Sequence, residues 1–534
     1  MEAPAKVVNA GSPSDEEKGV GIGEEREGWD DGGWVGRVAT SNPILSCSET
    51  PYPHVCSSVI STSPLAAQTK TQSGFRNLAL QAAMDRAARA LELVSAMDVS
   101  SLDGLAKAAW ADCLELCQDT IGKLNSSMSS PSYDDSQTRL SAARANHQTC
   151  RNGFIELGSS FPLDSLPFTS YNISELLSNS LAINKAMAPA KSGGNRRLLS
   201  DGFPNWLSAA DRKLLQSSSI NADLVVAKDG SGDYDTISAA IAAATKQSSG
   251  TSRFVIHVKA GVYNENVGTS MRNLMIVGDG IDATVVTGSK NVQDGSTTFS
   301  SATFAVTGNG FIARGMTFQN TAGPQKNQAV AFRSSSDLSA YYQCSFEGYQ
   351  DTLYVYSQRQ FYRDCNIYGT VDFIFGDAAV VFQNCDIYVR KPMSGQKNTV
   401  TAQGRTDPND NTGISIHDST VTAASDLKPV QGSFQTYLGR PWQKYSRTVY
   451  MKTSLDSLID PAGWLEWNGD FALSTLYYGE YMNTGAGADT SRRVNWPGYH
   501  VITSAAVASQ FTVGNFLSGG SWIPATGVPY TSGL

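Results

Sequence analysis

The second half of the chain repeats one short pattern at a nearly constant spacing. The segments MTFQN, CSFEG, CNIYG and CDIYV share a central apolar residue, and these residues, Phe318, Phe346, Ile367 and Ile387, are 28, 21 and 20 positions apart. The runs of Val, Ile, Phe, Tyr and Thr around them are short and broken by Gly, Asn and Asp, which indicates many short strands. A strand repeat of this period is typical of a solenoid with stacked coils. The sequence therefore predicts an all-β, right-handed parallel β-helix over residues 216–534.

Two acidic residues share this register. Asp351 lies five residues after Phe346, and Asp372 lies five residues after Ile367, so both should occupy the same point on successive coils. Carboxylates on coils about 4.8 Å apart repel by roughly 3 kcal/mol at an effective dielectric of about 20, or about two pKa units. We expect one of the two to hold its proton near neutrality unless a cation intervenes, which gives an acid and a nucleophile or base. Alone, either Asp would be read as capping a turn.

The first half of the chain has a helical pattern. Apolar or small residues recur every three or four positions in the segments 75–97, 102–128, 135–154 and 170–187. This spacing is typical of amphipathic helices. Residues 47–190 are therefore predicted to form an all-α four-helix bundle preceded by a helical hairpin.

Two further segments lie outside these folds. Residues 1–46 are acidic and glycine-rich without hydrophobic periodicity, and we expect them to be disordered. Residues 191–215 are predicted to be an exposed linker, because they are polar and contain the tetrapeptides RRLL and RKLL. A protease could cut such a linker. The candidate processing residues are Arg196, Arg197, Arg212 and Lys213.

Composition and motifs exclude several functions. The chain has 41 basic and 49 acidic residues and no basic run with interleaved aromatics, which argues against nucleic acid or an anionic membrane surface as a partner. No apolar stretch approaches the roughly 18 residues of a spanning helix. No His/Cys cluster has metal-ligand spacing, so no metal or other cofactor is expected. His417 next to Asp418 does not indicate a serine hydrolase, because no G-x-S-x-G motif occurs.

Five segments of the β-rich half carry a family resemblance. GVYNENV, QAVAF, YQDTLY, GTVDFIFG and YLGRPW resemble, in order and spacing, the signature segments of plant pectin methylesterases (pectinesterases). The helical half, with CSETPYPHVC and ADCLEL, resembles the invertase/pectin methylesterase inhibitor domain that precedes the enzyme in the family's proenzymes. The resemblance covers about residues 47–534. It implies hydrolysis of the C6 methyl esters of homogalacturonan to pectate and methanol, with a pro-region that inhibits or chaperones the enzyme until it is cleaved.

The resemblance also implies roles for individual residues. Asp372 matches the nucleophile, and Asp351 matches the general acid that later acts as a base. Arg440 matches the guanidinium that pairs with the nucleophile, which is the cation that the charge argument requires. Gln328 and Gln350 match the amide donors of the oxyanion site. The positions expected to contact the sugar are Thr298, Gln328, Phe375, Arg440 and Trp442. In the structural alternative, Arg440 braces a loop, Trp442 packs in the core and Gln328 is a solvent-facing or stacked amide.

The cysteines of the repeat follow the same register. Cys344, Cys365 and Cys385 each precede the apolar residue by two, so they form a column whose neighbours could bridge. Spacing does not choose between Cys344–Cys365 and Cys365–Cys385, but the family resemblance implies Cys365–Cys385.

In the helical half we expect bridges Cys47–Cys56 and Cys113–Cys150, with Cys117 as a buried thiol. Such bridges, with sequons at Asn125 and Asn172, favour secretion to the cell wall or apoplast. No signal-peptide apolar region precedes residue 47, and we expect a mis-assigned first exon rather than an unconventional export route.

Two other functions are compatible with such a chain. The first is a pectin depolymerase, since β-helix lyases and hydrolases act on the same polymer, but the five segments do not resemble theirs. The second is a binding protein whose bundle inhibits an esterase or invertase, and the intact site residues argue against it. As an esterase, the chain is expected to act as a monomer once processed. Its expected partners are methyl-esterified homogalacturonan, a processing protease and inhibitor proteins.

Overall fold

A computed structural model describes residues 46–60, 71–158, 172–188 and 221–534. The acidic segment up to residue 45 and the predicted linker 191–215 lie outside the described residues. The same is true of the four candidate processing residues, Arg196, Arg197, Arg212 and Lys213.

The N-terminal part is helical, as predicted. Its helices are α1 Pro53–Ile60, α2 Gln72–Ser95, α3 Gly104–Met128, α4 Tyr133–Glu156 and α5 Ile173–Met187. Side-chain oxygens of Thr71, Asp103 and Ser132 accept hydrogen bonds from backbone N–H groups in the first turns of α2, α3 and α4, which stabilises these helix starts. The long helices pack around a core of alanines and leucines such as Ala83, Leu116 and Leu181. None of the helices in the described ranges is both long and apolar enough to cross a membrane.

The C-terminal part consists of short parallel strands. They are β1 Leu224–Val226, β2 Phe254–Val258, β3 Gly261–Asn264, β4 Val267–Thr269, β5 Leu274–Gly278, β6 Thr284–Gly288, β7 Phe304–Val306, β8 Ile312–Arg314, β9 Thr317–Asn320, β10 Phe332–Ser334, β11 Ser339–Tyr342, β12 Ser345–Glu347, β13 Leu353–Arg363, β14 Asn366–Gly369, β15 Ile374–Gln383, β16 Asp386–Val389, β17 Asn398–Gln403, β18 Gly413–His417, β19 Thr420–Ala423, β20 Thr436–Gly439, β21 Arg447–Met451, β22 Ser454–Leu455, β23 Tyr477–Tyr481 and β24 Tyr499–Val501. The helix α6, Ile237–Gln247, packs against β1 and β2 at the first coils.

The strands stack as the faces of a parallel β-helix. One face has the order β22-β19-β16-β14-β12-β9-β6-β3, and a second runs from β1 through β13 and β15 to β24. A third face consists of β4, β7, β10, β17 and β20, and it joins the second because β13 and β15 are long enough to pair on both. The active-site candidates lie on this third face.

The repeat period sets the coil register. Phe318, Phe346, Ile367 and Ile387 pair directly on successive strands β9, β12, β14 and β16, as predicted. The rings of Phe318 and Phe346 stack with centroids 5.6 Å apart. Such columns of stacked apolar side chains fill the interior of the solenoid, so the repeated residue is a core residue.

The cysteine predictions are confirmed in the bundle and wrong in the β-helix. Disulfides join Cys47 to Cys56 and Cys113 to Cys150, and Cys117 is a buried thiol, as expected. The bridge predicted between Cys365 and Cys385 is not formed.

Backbone carbonyl oxygens are the hydrogen-bond partners of these stacked thiols. Cys344, Cys365 and Cys385 form the expected buried column as free thiols. The Cys365 Sγ donates to the backbone carbonyls of Tyr341 and Arg363 at 3.4 and 3.3 Å. The Cys385 Sγ lies 3.7 Å from the carbonyl oxygen of Tyr362. The column is therefore hydrogen-bonded without a disulfide.

Candidate active site

Asp351 and Asp372 occupy equivalent turns on successive coils. They precede β13 and β15, in which Leu353 pairs with Ile374, and the backbone N–H of Asp351 donates to the carbonyl of Val371 at 3.1 Å. Both residues have left-handed backbone conformations, with φ of +62° and +52°, which Asp tolerates better than most residues. The register argument therefore placed the two carboxyls correctly.

Asp372 is held by three donors. Arg440 donates from Nε to Oδ1 at 2.8 Å and from Nη2 to Oδ2 at 2.6 Å. The Thr399 hydroxyl donates to Oδ1 at 2.6 Å and accepts from the backbone N–H of Asp372 at 2.8 Å. The Arg440 guanidinium also lies 4.3 Å from the ring centre of Trp467. A bidentate guanidinium is the strongest common partner of a carboxylate, so the Asp372 side chain is fixed in orientation and has an opposite charge beside it.

Asp351 is in a different environment, although it is only one coil away. The side chain is buried, and burial is the main cause that raises its pKa well above the usual range. The charge of Asp372 is the second cause and that of Glu156 the third, while Arg440 lowers the pKa. The raised pKa that we expected at one of the two carboxyls is thus present at Asp351, but desolvation contributes more to it than the repulsion from which we predicted it.

The two predicted oxyanion donors lie on adjacent coils. Gln350 immediately precedes Asp351, and its carbonyl accepts a hydrogen bond from the backbone N–H of Ala329, next to Gln328, at 3.2 Å. Both glutamines are half-buried. The fold therefore brings both amide-bearing residues close to Asp351.

A row of aromatic side chains extends from the carboxyl pair. The ring centroids of Trp442 and Phe375 are 5.9 Å apart, and the Phe375 ring stacks on that of Tyr354 with centroids 4.1 Å apart. Tyr354 meets Tyr356 edge-on at 5.2 Å, and Tyr356 meets Phe299 at 5.3 Å. We call these five residues the aromatic row. Two predicted sugar-contacting residues, Phe375 and Trp442, belong to it, and aromatic faces of this kind suit a sugar polymer.

The helical bundle packs on the aromatic row. The Tyr356 hydroxyl donates to Oδ1 of Asn146 in α4 at 2.8 Å. Oε2 of Glu156, at the end of α4, accepts from the backbone N–H of Thr298 at 3.2 Å, and burial raises the pKa of Glu156 to about 7. Asp112 of α3 accepts hydrogen bonds from the hydroxyls of Thr297 and Ser300. The backbone N–H of Thr298, a predicted sugar-contacting residue, is therefore hydrogen-bonded to a carboxyl group of the bundle.

A second contact joins the bundle to residues 404–412, which we call the docking loop. Gln137 Nε2 donates to the carbonyl of Asn409 at 2.7 Å, and Arg144 Nε donates to the Thr406 hydroxyl at 2.9 Å. Asn411 Nδ2 donates to the Thr138 hydroxyl at 2.9 Å. An ion pair of 2.8 Å between Asp135 and Arg359 lies between the bundle and β13. The bundle is thus fixed at several separate places on the β-helix.

Sequence reasoning missed three residues of the site. Thr399 lies beside Asp372 because Thr401 pairs with Ile374, two residues further along each segment, and the repeat read from the sequence does not extend to β17. Glu156 had no signal in the sequence, because its neighbour Thr298 is 142 residues away and belongs to the other fold. Arg333 directly follows the QAVAF motif, and the family resemblance implies a role only for Gln328 of that motif. Within the described ranges, no group of three or more His, Cys, Asp or Glu side chains could hold a metal ion.

Comparisons with known proteins agree with this geometry. The family model described as Pectinesterase matches residues 223–520, and that described as Plant invertase/pectin methylesterase inhibitor matches residues 44–183. "Pectinesterase 2" of Citrus sinensis is 56% identical over 491 residues, which cover 91% of this chain and 94% of the relative. "Probable pectinesterase/pectinesterase inhibitor 17" of Arabidopsis thaliana is 56% identical over 495 residues, with the same coverage.

Solved structures match the β-helix. The pectin methylesterase from carrot is 62% identical and covers 60% of this chain and 100% of its own, with a TM-score of 0.58. The enzyme from Aspergillus niger is 32% identical and covers 58% of this chain and 97% of its own, with a TM-score of 0.50. The predicted fold class is confirmed. The chain belongs to the plant pectinesterases that carry an N-terminal inhibitor domain, and it is a carboxylic ester hydrolase that demethylesterifies pectin.

Proposed function

We propose that Asp372 is the nucleophile and Asp351 the general acid and base of this esterase. Both carboxyls are buried, and the observation that carries the proposal is their different partners: Arg440 donates two hydrogen bonds to Asp372, whereas burial and the charge of Asp372 raise the pKa of Asp351. A carboxylate fixed by a guanidinium is held in place for attack, whereas a carboxyl with a raised pKa holds a proton to donate.

The first half-reaction forms an acyl-enzyme. Oδ2 of Asp372 accepts one of the three side-chain hydrogen bonds, against two at Oδ1, so Oδ2 has the freer lone pair for attack on the ester carbonyl carbon. The amide groups of Gln328 and Gln350 stabilise the oxyanion. When the bond to the methoxy oxygen breaks, Asp351 gives its proton to that oxygen and methanol leaves.

The second half-reaction restores the enzyme. Asp351, now a carboxylate, takes a proton from a water molecule, and the water oxygen attacks the acyl carbon. The bond to Asp372 breaks and Asp351 is protonated again, while the product leaves as a carboxylic acid that releases the second proton of the water to solvent. Thr298, Phe375 and Trp442 would position the sugar during both steps.

We infer that the bundle keeps the enzyme inactive before processing. Glu156 accepts a hydrogen bond from the Thr298 N–H, and Asn146 accepts one from the Tyr356 hydroxyl. The polymer and the bundle therefore compete for the same groups. Cleavage of the linker at RRLL or RKLL would allow the bundle to leave. The proposed location of the active enzyme is the cell wall, where its polymer substrate is found, and the bundle disulfides suit such an oxidising compartment.

A single experiment tests the activity and the inhibition. A protease site placed within residues 191–215 lets the purified protein be cut once, and methanol release and chain length are then followed together on highly methylated pectin. Methanol without shortening, after cutting only, is the expected result. Shortened chains would support a depolymerase, and no change in either would support an inhibitor-type binding protein. Equal activity before and after cutting would contradict the inhibition.

A further inference from the structure

The docking loop is held at both ends by one carboxyl group. Asp377 lies on β15, five residues after Asp372. Its Oδ1 accepts hydrogen bonds from Nε2 of Gln403 at 3.1 Å and from the Thr412 hydroxyl. Gln403 directly precedes the docking loop, and Thr412 is its last residue. A single oxygen atom of Asp377 therefore closes the base of the loop.

Between these ends, the docking loop is braced by its own atoms. The Arg405 side chain donates to the carbonyls of Asp410 and Pro408 at 3.1 and 2.6 Å. The backbone N–H of Asp407 donates to Oδ2 of Asp410 at 3.1 Å, and that of Asn409 donates to Oδ1 of Asp407 at 2.8 Å. A loop packed by its own side chains in this way moves as one unit. Its position therefore depends on how its two ends are fixed.

The first residue of the docking loop touches the aromatic row. The backbone N–H of Gly404 donates to the carbonyl of Gly376, the neighbour of Asp377, at 2.8 Å. A Cβ on Gly404 would lie 2.8 Å from the Trp442 ring, so the glycine packs directly against that ring. Asp377, Gly404 and Trp442 also line one small cavity between the bundle and the β-helix. A shift of the loop base would therefore displace Trp442.

The surroundings of Asp377 favour an uncharged carboxyl group. Its side chain is buried, and its Oδ2 has no hydrogen-bond partner among the residues that the structure describes. Burial is the main cause that raises the pKa of Asp377 well above its usual range, and the charge of Asp410 is the second. The hydrogen bonds from Thr412 and Gln403 and the charge of Arg405 lower it. An Asn side chain has nearly the same shape and keeps the accepting oxygen, so it is a close substitute for the uncharged acid.

We propose that Asp377 is a positioning residue for the esterase: by closing the base of the docking loop, it holds Gly404 against Trp442 and fixes that ring for the sugar polymer. The inference rests on the proposed function, in which Trp442 contacts the sugar. Asp377 therefore acts on the binding of substrate, whereas the acyl-transfer steps at Asp372 and Asp351 do not depend on it.

The test measures kcat and KM for methanol release from one fully methyl-esterified galacturonate oligomer. The linker-cut enzyme is diluted until methanol release per enzyme no longer rises, so that the bundle has left. Asp377→Ala removes both closing hydrogen bonds and should raise KM roughly 10-fold, with kcat within about twofold of wild type. Asp377→Asn should have a KM near that of wild type. A KM of wild-type size in Asp377→Ala, or a loss confined to kcat, would overturn the positioning role.

A double variant shows whether Asp377 acts through Trp442. Trp442→Ala alone should raise KM, and Asp377→Ala in that background should raise it no further, because the ring that Asp377 positions is absent. Independent, additive effects of the two substitutions would overturn the inference. A Trp442→Ala variant with the KM of wild type would refute the sugar contact in the proposed function, and the inference with it.

Milder variants decide the question if Asp377→Ala does not fold. Thr412→Val removes one of the two closing hydrogen bonds and should raise KM roughly 3-fold, whereas Thr412→Ser keeps the hydroxyl and should not. Thr422→Val is the matched control, because Thr422 on β19 donates to Oδ2 of Asp456 at 2.9 Å in another face of the β-helix. Its KM should equal that of wild type. An unchanged KM in Thr412→Val, or the same rise in Thr422→Val, would overturn the positioning role.

Discussion

The contact between Glu156 and Thr298 should make bundle docking depend on pH. Burial raises the pKa of Glu156 from 4.5 to about 7 in the docked state, and release into solvent should restore the lower value. Below pH 4.5 both states are protonated and docking has its full strength. As the pH rises from 4.5 to 7 the released form ionises first, so docking weakens, and above about 7 no further loss follows.

The magnitude follows from the size of the pKa difference. A difference of 2.5 units between 7 and 4.5 corresponds to about 3.4 kcal/mol, and we reduce this to about 1.5–3 kcal/mol because Glu156 as a whole is only half-buried. The dissociation constant of the bundle should therefore rise roughly 10- to 100-fold between pH 4.5 and 7. Asp112 acts in the same direction, because burial raises its pKa too.

The assay uses protein cut once in the linker, with a fluorescent label on the bundle. Anisotropy during dilution gives the dissociation constant at each pH. Glu156→Gln mimics the protonated form and should flatten most of the pH dependence, whereas Glu92→Gln, at an exposed position of α2 paired with Arg89, should not. Docking that tightens with rising pH in wild type, or an unchanged pH dependence in Glu156→Gln, would refute this reasoning.

Two further predictions concern the site itself. Thr399→Val removes the donor to Oδ1 of Asp372 and should lower kcat roughly 10- to 100-fold with little change in KM. Thr399→Ser keeps a hydroxyl and should retain most activity. Methanol release is measured for both variants at matched thermal stability, and a Val variant as active as wild type would exclude a positioning role for Thr399. Gly404→Ala places a Cβ 2.8 Å from the Trp442 ring and should raise KM by displacing that ring. Gly432→Ala is the control, because no atom lies within 4 Å of the added Cβ, and its KM should match wild type. Equal KM values for the two variants would contradict a sugar-contacting Trp442.

The sequence predicted those features that follow from local spacing. The repeat established the coil register, and from the register came the stacking of Asp351 and Asp372 and the column of Cys344, Cys365 and Cys385. Helical periodicity found the long helices of the bundle. Each of these patterns repeats within about one coil or a few helical turns, so composition and spacing suffice to reveal it.

Other features depend on contacts that spacing does not encode. Spacing brought Cys365 and Cys385 together but did not show that backbone carbonyls would accept from both thiols. Glu156 gains its partner Thr298 only when the bundle docks on the β-helix, and nothing in either segment marks the other as its neighbour. The same limit applies to Asp351, whose pKa depends more on burial than on the charge that the register revealed.

The most direct test of the central assignment is methanol release by the linker-cut Asp372→Asn variant. Its circular dichroism should match wild type, and Asp351→Asn serves as the comparison because that variant loses only proton transfer, roughly 10²- to 10⁴-fold. If Asp372 is the nucleophile, an amide at this position cannot form the acyl-enzyme, and methanol release from methylated pectin should fall to background, below that of Asp351→Asn. Activity in Asp372→Asn equal to or above that of Asp351→Asn would contradict the assignment.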